Sequence, residues 1–129
     1  MQDPTGTLAP ILVVPDVAQA AETYERVFGF RRLRYFDGND EYVPLGRGHA
    51  QVHLIHGRAT NPNHRGSAHA ADVFVWVDEL DSLVDAARAA GLAVTRGPER
   101  YDSSPLATTE VVIEDPDGYW ICFALAHPA

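Results

Sequence analysis

Apolar and polar positions follow two rhythms along this chain, and each rhythm occurs twice in the same order. Between Asp16 and Gly29, apolar side chains fall at Val17, Ala20, Ala21, Tyr24, Val27 and Phe28, the three-and-four spacing of a helix with one buried face. Between Asp78 and Gly91 the same spacing returns at Leu80, Leu83, Val84 and Ala87. Each stretch follows a short apolar run that reads as a strand, and each leads into further strand-like runs. Asp16 and Asp78 suit helix N-caps, because a short carboxylate can accept from the free N–H groups of the first turn. Gly29 suits the position just past a helix end, where the backbone turns left-handed. A repeated order of this kind defines an architecture before any single motif does.

The first copy predicts a strand over Leu8 to Val14, the helix, a strand over Arg31 to Phe36, a turn at Asp37-Gly38-Asn39-Asp40, a strand over Glu41 to Leu45 and a last strand over Ala50 to His56. Residues 57–69 are polar and rich in breakers, a connector. The second copy predicts a strand over Asp72 to Val77, a helix over Glu79 to Ala90 and a strand over Leu92 to Arg96. A polar loop with Pro98, Tyr101 and Pro105 follows, and a hairpin of Thr108 to Glu114 and Tyr119 to Ala126 closes the copy. Its turn, Asp115-Pro116-Asp117-Gly118, has proline and glycine where a type I turn takes them. The expectation is an α+β chain of two βαβββ modules, residues 8–56 and 70–126, in one compact domain.

Alternation along the strands sorts side chains between two faces. Val73, Val75 and Val77 suit packing under a helix, which leaves Asp72, Phe74 and Trp76 on the other face. In the last strand Ile121, Phe123 and Leu125 fit the helix side, with Trp120, Cys122 and Ala124 opposite. Gln51, His53 and Ile55 alternate likewise with Val52, Leu54 and His56. The face away from the helices therefore gathers two tryptophans, a phenylalanine, a histidine, an aspartate and a glutamine. That mixture is too wet for a sealed core and too aromatic for a plain surface. It suits stacking on a flat organic molecule that a few polar groups orient. Duller roles compete: the aromatics can fill an interface, His53 can be a hydrogen-bonded wall, Asp72 can sit in solvent at a strand edge and Cys122 can be a small buried apolar residue. By alternation Glu110 and Glu114 share this face, although exposed hairpin charges are the simpler account of them. His49, His56, His64 and His69 lie in or beside loops and carry no assigned chemistry.

Composition narrows the field. A chain of 129 residues, 46% hydrophobic and 22% charged, reads as an ordinary globular domain. No apolar run approaches the ~20 residues of a membrane helix, and Met1-Gln2-Asp3-Pro4 has no signal-like character, so no membrane and a cytoplasmic location are the expectations. Cys122 is the single cysteine, which rules out an internal disulfide. A formal net charge of −8 argues against nucleic acid, which requires a basic footprint, and favours cationic ligands. The chain has no Ser/His/Asp signature, and Gly46-Arg47-Gly48 lacks the strand-to-helix setting of a phosphate loop.

Taken together, Leu12-x-Val14-x-Asp16, the repeated helix, and Ile113-Glu114-Asp115-Pro116-Asp117-Gly118 before a final strand resemble the vicinal oxygen chelate superfamily. That group holds the glyoxalases, the bleomycin-resistance proteins and the extradiol dioxygenases. The resemblance spans about residues 8–126. It implies a partly open, cup-like mixed β-barrel with helices outside, in a homodimer. Metal-dependent members take four ligands from the first and last strands of the two modules, and those positions fall here on Ala9, His53, Asp72 and Cys122. Ala9 has no donor atom, so the chain departs from the metal-binding pattern. Val73-Phe74-Val75-Trp76-Val77 is similar in kind to the aromatic strand of the metal-free bleomycin-resistance proteins.

The resulting expectation is a protein that sequesters a small aromatic or cationic drug or metabolite, with no cofactor. Gln51, His53, Asp72, Phe74, Trp76, Trp120 and Cys122 are its ligand-binding candidates. The alternative is a glyoxalase- or dioxygenase-like enzyme with one divalent metal ion on His53, Asp72 and Cys122 and a carboxylate such as Glu110 moving a proton. Catalysis by His53 and Asp72 without metal is a third course.

Overall fold

The structure is a computed structural model that describes residues 5–34, 41–58, 70–102 and 105–128. It divides into two compact units, Met1–Thr60 and Asn61–Ala129. In the first unit β1 (Ile11–Val14), α1 (Val17–Arg26), β2 (Arg31–Arg32), β3 (Tyr42–Arg47) and β4 (Ala50–His56) follow in sequence. The sheet order is β1-β4-β3-β2, with β1 parallel to β4 and the other pairs antiparallel. Asp16 caps α1 by accepting the Gln19 N–H at 3.0 Å. The helix buries Val17, Ala20, Ala21 and Tyr24, one stripe at helical spacing, and lies against β2, β3 and β4. The chain leaves it through Gly29 at φ +76°, a conformation that side chains with a Cβ resist.

Leu12, Val14, Val43, Leu45, Val52 and Leu54 are all buried in this unit. Each such burial is worth about 1.5–3 kcal/mol, so a one-residue slip of any strand, which would turn its apolar set outward, is heavily disfavoured. Tyr24 locks the helix end, meeting Phe28 and Phe30 edge-on at ring distances of 5.0 and 5.7 Å.

The second unit repeats the plan element for element: β5 (Val73–Val77), α2 (Asp81–Ala89), β6 (Val94–Tyr101), β7 (Ala107–Glu114) and β8 (Trp120–His127), in sheet order β5-β8-β7-β6. Again the first and last strands pair in parallel. Val73, Val75, Val77, Val111, Ile113, Ile121 and Phe123 are buried on one face of the sheet, and Leu80, Leu83, Val84 and Ala87 are buried on the helix segment. The repeated βαβββ order and the α+β class read from the sequence are therefore present, and among the described residues eight strands form two four-stranded sheets.

Local differences have local causes. Asp78 does not cap α2; the helix starts at Asp81, and the Glu79 carboxylate takes the Ser82 N–H and hydroxyl instead. The third strand of the second module does not stop at Arg96. It continues to Tyr101 because the pairing absorbs Gly97-Pro98 in register shifts between Val94 and Glu99, a bulge where breakers alone suggest a loop. Strand β2 covers only Arg31 and Arg32 among the described residues, while Tyr35, Phe36, the turn at 37–40 and residues 59–69 of the connector lie outside them. The Asp115 turn is more than a good bend. Asp115 is 3% exposed and its carboxylate accepts the N–H groups of Asp117 and Tyr119, each at 2.9 Å. Among the described residues no helix is long and apolar enough to cross a membrane.

Candidate functional site

Pairing across the second sheet sets the side chains of its helix-free face in rows. One row runs Phe74, Cys122, Val112, Arg96, and the next runs Trp76, Ala124, Glu110, Glu99. The edge strand β5 thus supplies aromatics, β8 supplies small side chains, and β7 and β6 supply charge. Phe74 and Trp76 are 50% and 55% exposed, although the valines that alternate with them are buried. Their rings meet edge to face, with centroids 5.1 Å apart and planes at 75°. Beside them Trp120 is held at both backbone and ring. Its N–H donates to Asp72 Oδ2 at 2.7 Å, its carbonyl accepts the Asp72 N–H at 2.8 Å, and its indole Nε1–H donates to Glu114 Oε1 at 3.1 Å. With its backbone bonded to Asp72 and its indole N–H to Glu114, Trp120 has little rotamer entropy left to lose on contact.

Glu110 gathers the charged side of the face. Its Oε2 accepts the Thr108 hydroxyl at 3.0 Å, and its Oε1 lies 3.6 Å from the Cys122 thiol, which donates to it, and 3.8 Å from Arg96 Nη2. The side chains of Arg96 and Glu110 are only 18% and 17% exposed, so Glu110 is not the solvated hairpin charge that is the simpler sequence reading. Cys122 is buried, and burial first, then the neighbouring Glu110 charge, push its thiol up to about 12. It therefore holds its proton at neutral pH, which disfavours it as a nucleophile. Tyr101 donates to Glu99 Oε2 at 3.0 Å at the end of the same strand pair.

On the helix-free face of the first sheet, His53 sits between two polar partners. Tyr42 Oη is 2.6 Å from its Nδ1 and Gln51 Oε1 is 2.9 Å from its Nε2. The Tyr42 ring stands edge-on to the imidazole, with centroids 5.6 Å apart. Partial burial lowers the His53 pKa, favouring the neutral ring.

The sequence-derived candidates thus fall into two groups. Gln51 and His53 are bonded to one another in the first unit. Asp72, Phe74, Trp76, Trp120, Cys122 and Glu110 share one sheet face in the second. Tyr42, Arg96, Thr108, Glu99 and Tyr101 join these groups without standing out in the sequence. The signal for Tyr42 was alternation along its strand, which puts it opposite Ile55 on the His53 face. Arg96, Glu99 and Tyr101 were masked by the Gly97-Pro98 break. Among the described residues, no three His, Cys, Asp or Glu side chains form a group able to hold a metal ion.

Comparison with known proteins agrees with this geometry at the level of fold. The family model of the Glyoxalase/Bleomycin resistance protein/Dioxygenase superfamily matches residues 6–123. No curated protein sequence matches the chain. Among solved structures, a hypothetical protein, SA1046, from S. aureus is similar at 23% identity and a TM-score of 0.69, over 94% of this chain and 97% of that one. A lactoylglutathione lyase from Agrobacterium tumefaciens is similar at 19% identity and a TM-score of 0.63, over 96% of each chain. The fosfomycin resistance protein FosX from Mesorhizobium loti is similar at 13% identity and a TM-score of 0.65, over 94% of this chain and 92% of that one. At such identities the likeness carries the fold and nothing finer.

Proposed function

The chain belongs to the Glyoxalase/Bleomycin resistance protein/Dioxygenase superfamily, and we propose that within it this protein binds a small aromatic or cationic organic molecule, a drug or metabolite, without chemistry. The shared fold serves both a lyase and a resistance protein, so the choice rests on the site. The observation that carries it is the half-exposed Phe74–Trp76 pair beside a Trp120 clamped by Asp72 and Glu114. Large aromatics left half in water on a strand whose other face is buried are a standing apolar surface for a ligand to cover. The adjacent carboxylates and the overall charge of −8 favour a ligand that carries positive charge.

The divalent ion that the superfamily implies does not fit these residues. Ala9 has no donor atom. Both ring nitrogens of His53 are engaged, by Tyr42 and Gln51. Asp72 Oδ2 accepts the Trp120 N–H, and the Cys122 thiol is held protonated. Zinc and its relatives need bare lone pairs and thiolates, so binding here would first have to break those contacts.

A thermal-shift screen of aromatic amines and planar drugs tests the reading, because a ligand of the native state raises its apparent stability. Hits should lose about 1–3 kcal/mol of affinity in Trp76→Ala. A hit whose affinity is unchanged in that variant removes Trp76 from the site. Stoichiometric metal in the purified protein that disappears in His53→Ala would overturn the metal-free function.

A further inference from the structure

On the helix-free face of the second sheet, the row that begins with Trp76 runs through Ala124 to Glu110 and then Glu99. Ala124 contributes only a methyl group, so the larger side chains of Trp76 and Glu110 flank it from the neighbouring strands. Strands lie about 4.8 Å apart, which roots these two residues about 10 Å from one another, within the span of an aryl ring and a short alkyl arm. Glu110 also keeps acceptor capacity. Among the described residues its carboxylate meets the Thr108 hydroxyl at 3.0 Å, the weak Cys122 thiol donor at 3.6 Å and Arg96 Nη2 at 3.8 Å, an ion-pair separation too long for a hydrogen bond. A carboxylate accepts at about four sites, so lone pairs remain. Asp72 and Glu114, by contrast, serve Trp120, two rows away from Trp76.

We propose that Glu110 receives the protonated amine of the bound molecule while its aryl group covers Trp76, so that the ligand is an arylalkylammonium ion, aromatic and cationic at once. The inference rests on the binding function above and names the ligand class and the residue that selects it. Glu99 stands opposite Glu110 across the β6–β7 ladder, an arrangement of like charges that costs stability and that an incoming cation relieves. The Glu110 side chain is 17% exposed, so water screens its charge less than that of the exposed Glu99. The rival ligand is an arylcarboxylate that covers Phe74 and reaches Arg96. Cys122 and Val112 both stand between those two residues, one strand more than separates Trp76 from Glu110. Among the described residues of this face, Asp72, Glu99, Glu110 and Glu114 also outnumber Arg96, so an anion meets net repulsion.

Titration of 1-naphthylmethylammonium, its neutral twin 1-naphthylmethanol and 1-naphthoate into the wild type, Glu110→Gln and Asp85→Asn tests this. Asp85 is exposed on α2 and controls for the loss of one negative charge outside the rows. The wild type should bind the ammonium roughly tenfold more tightly than the alcohol, the value of a hydrogen bond between charged groups. Glu110→Gln, which keeps an acceptor for Thr108, should erase most of that preference by weakening the ammonium alone, and Asp85→Asn should preserve it. In carbon-13-labelled wild type, the Glu110 carboxyl resonance should move with the ammonium and stay with the alcohol. A Glu110 carboxyl unmoved at saturating ammonium overturns the inference without any variant. So does a naphthoate bound more tightly than the ammonium, or a preference that Glu110→Gln leaves intact, and in each case the binding function stands. Binding of none of the three probes refutes the binding function and this inference with it.

Discussion

Replacing Glu110 should wake the thiol of Cys122, and the size of the effect follows from what surrounds it. The thiol is pushed up to about 12 from an ordinary 9.0, first by burial and then by the adjacent Glu110 charge and its hydrogen bond. At pH 8 an ordinary thiol is about one-tenth thiolate, whereas Cys122 would be about one part in ten thousand, so alkylation should run roughly a thousandfold slower. Iodoacetamide labelling at pH 8, followed by mass spectrometry, reads the rate directly. The same protein unfolded in urea supplies the reference, since Cys122 is the only cysteine. Glu110→Gln removes the like charge while leaving Arg96, which favours the thiolate, in place. Labelling of native Glu110→Gln should therefore accelerate about tenfold over native wild type. Because the folded value is raised, protonation of Cys122 favours the folded state fully below pH ~9, and that contribution is lost as the pH climbs toward about 12. Native labelling within tenfold of the unfolded reference, or no acceleration in Glu110→Gln, would refute the reasoning.

Other outcomes are equally specific. Asp115→Ala should cost about 2–3 kcal/mol in urea unfolding, since two N–H groups lose a buried carboxylate; Asp115→Asn, which keeps an acceptor, should cost less, and equal stability of all three proteins would contradict the buried turn. Glu79→Ala should cost about 0.5–1 kcal/mol and Asp78→Ala almost nothing, because Glu79 is the residue that accepts from Ser82; the reverse order would restore Asp78 as the cap. The His53 pKa is lowered in the folded state, so the unfolded chain takes up its proton first, and the stability that neutral His53 contributes is present above pH ~6.5 and lost as the pH falls through the folded value. Urea midpoints from pH 8 to 5 should fall less steeply in His53→Gln than in the wild type, and parallel curves would show that His53 is not the group responsible.

Strong periodicity carried most of the fold. The helical stripe Val17, Ala20, Ala21, Tyr24 and the alternation in Val73–Val77 are each driven by burial on one side, so the pattern and the packing say the same thing. The exposed aromatics Phe74 and Trp76 and the shared strand face of Gln51 and His53 were legible for the same reason, as the residues that alternation leaves over; the hydrogen bond between Gln51 and His53 was not. Capping of α2 was not, because Asp78 and Glu79 are adjacent acids and only the backbone entry angle decides between them. The reach of β6 was hidden by Gly97-Pro98, where register shifts in the ladder outweigh local breaker chemistry. Tyr42 and Arg96 were illegible as site residues because their roles come from strands distant in sequence, His53 on β4 and Glu110 on β7. The Asp115 turn read correctly as a bend, yet its burial depends on tertiary packing that four residues cannot reveal.

The chain has two tryptophans, Trp76 and Trp120, and therefore two indole N–H signals in a proton–nitrogen correlation spectrum. Titration with 1-naphthylmethylammonium observed at those two signals is the most direct measurement of a ligand site on this sheet face. Both resonances should shift and saturate at one ligand concentration, the same at which thermal stability levels off. Saturable binding that leaves both indoles unmoved would place the ligand elsewhere and contradict the account.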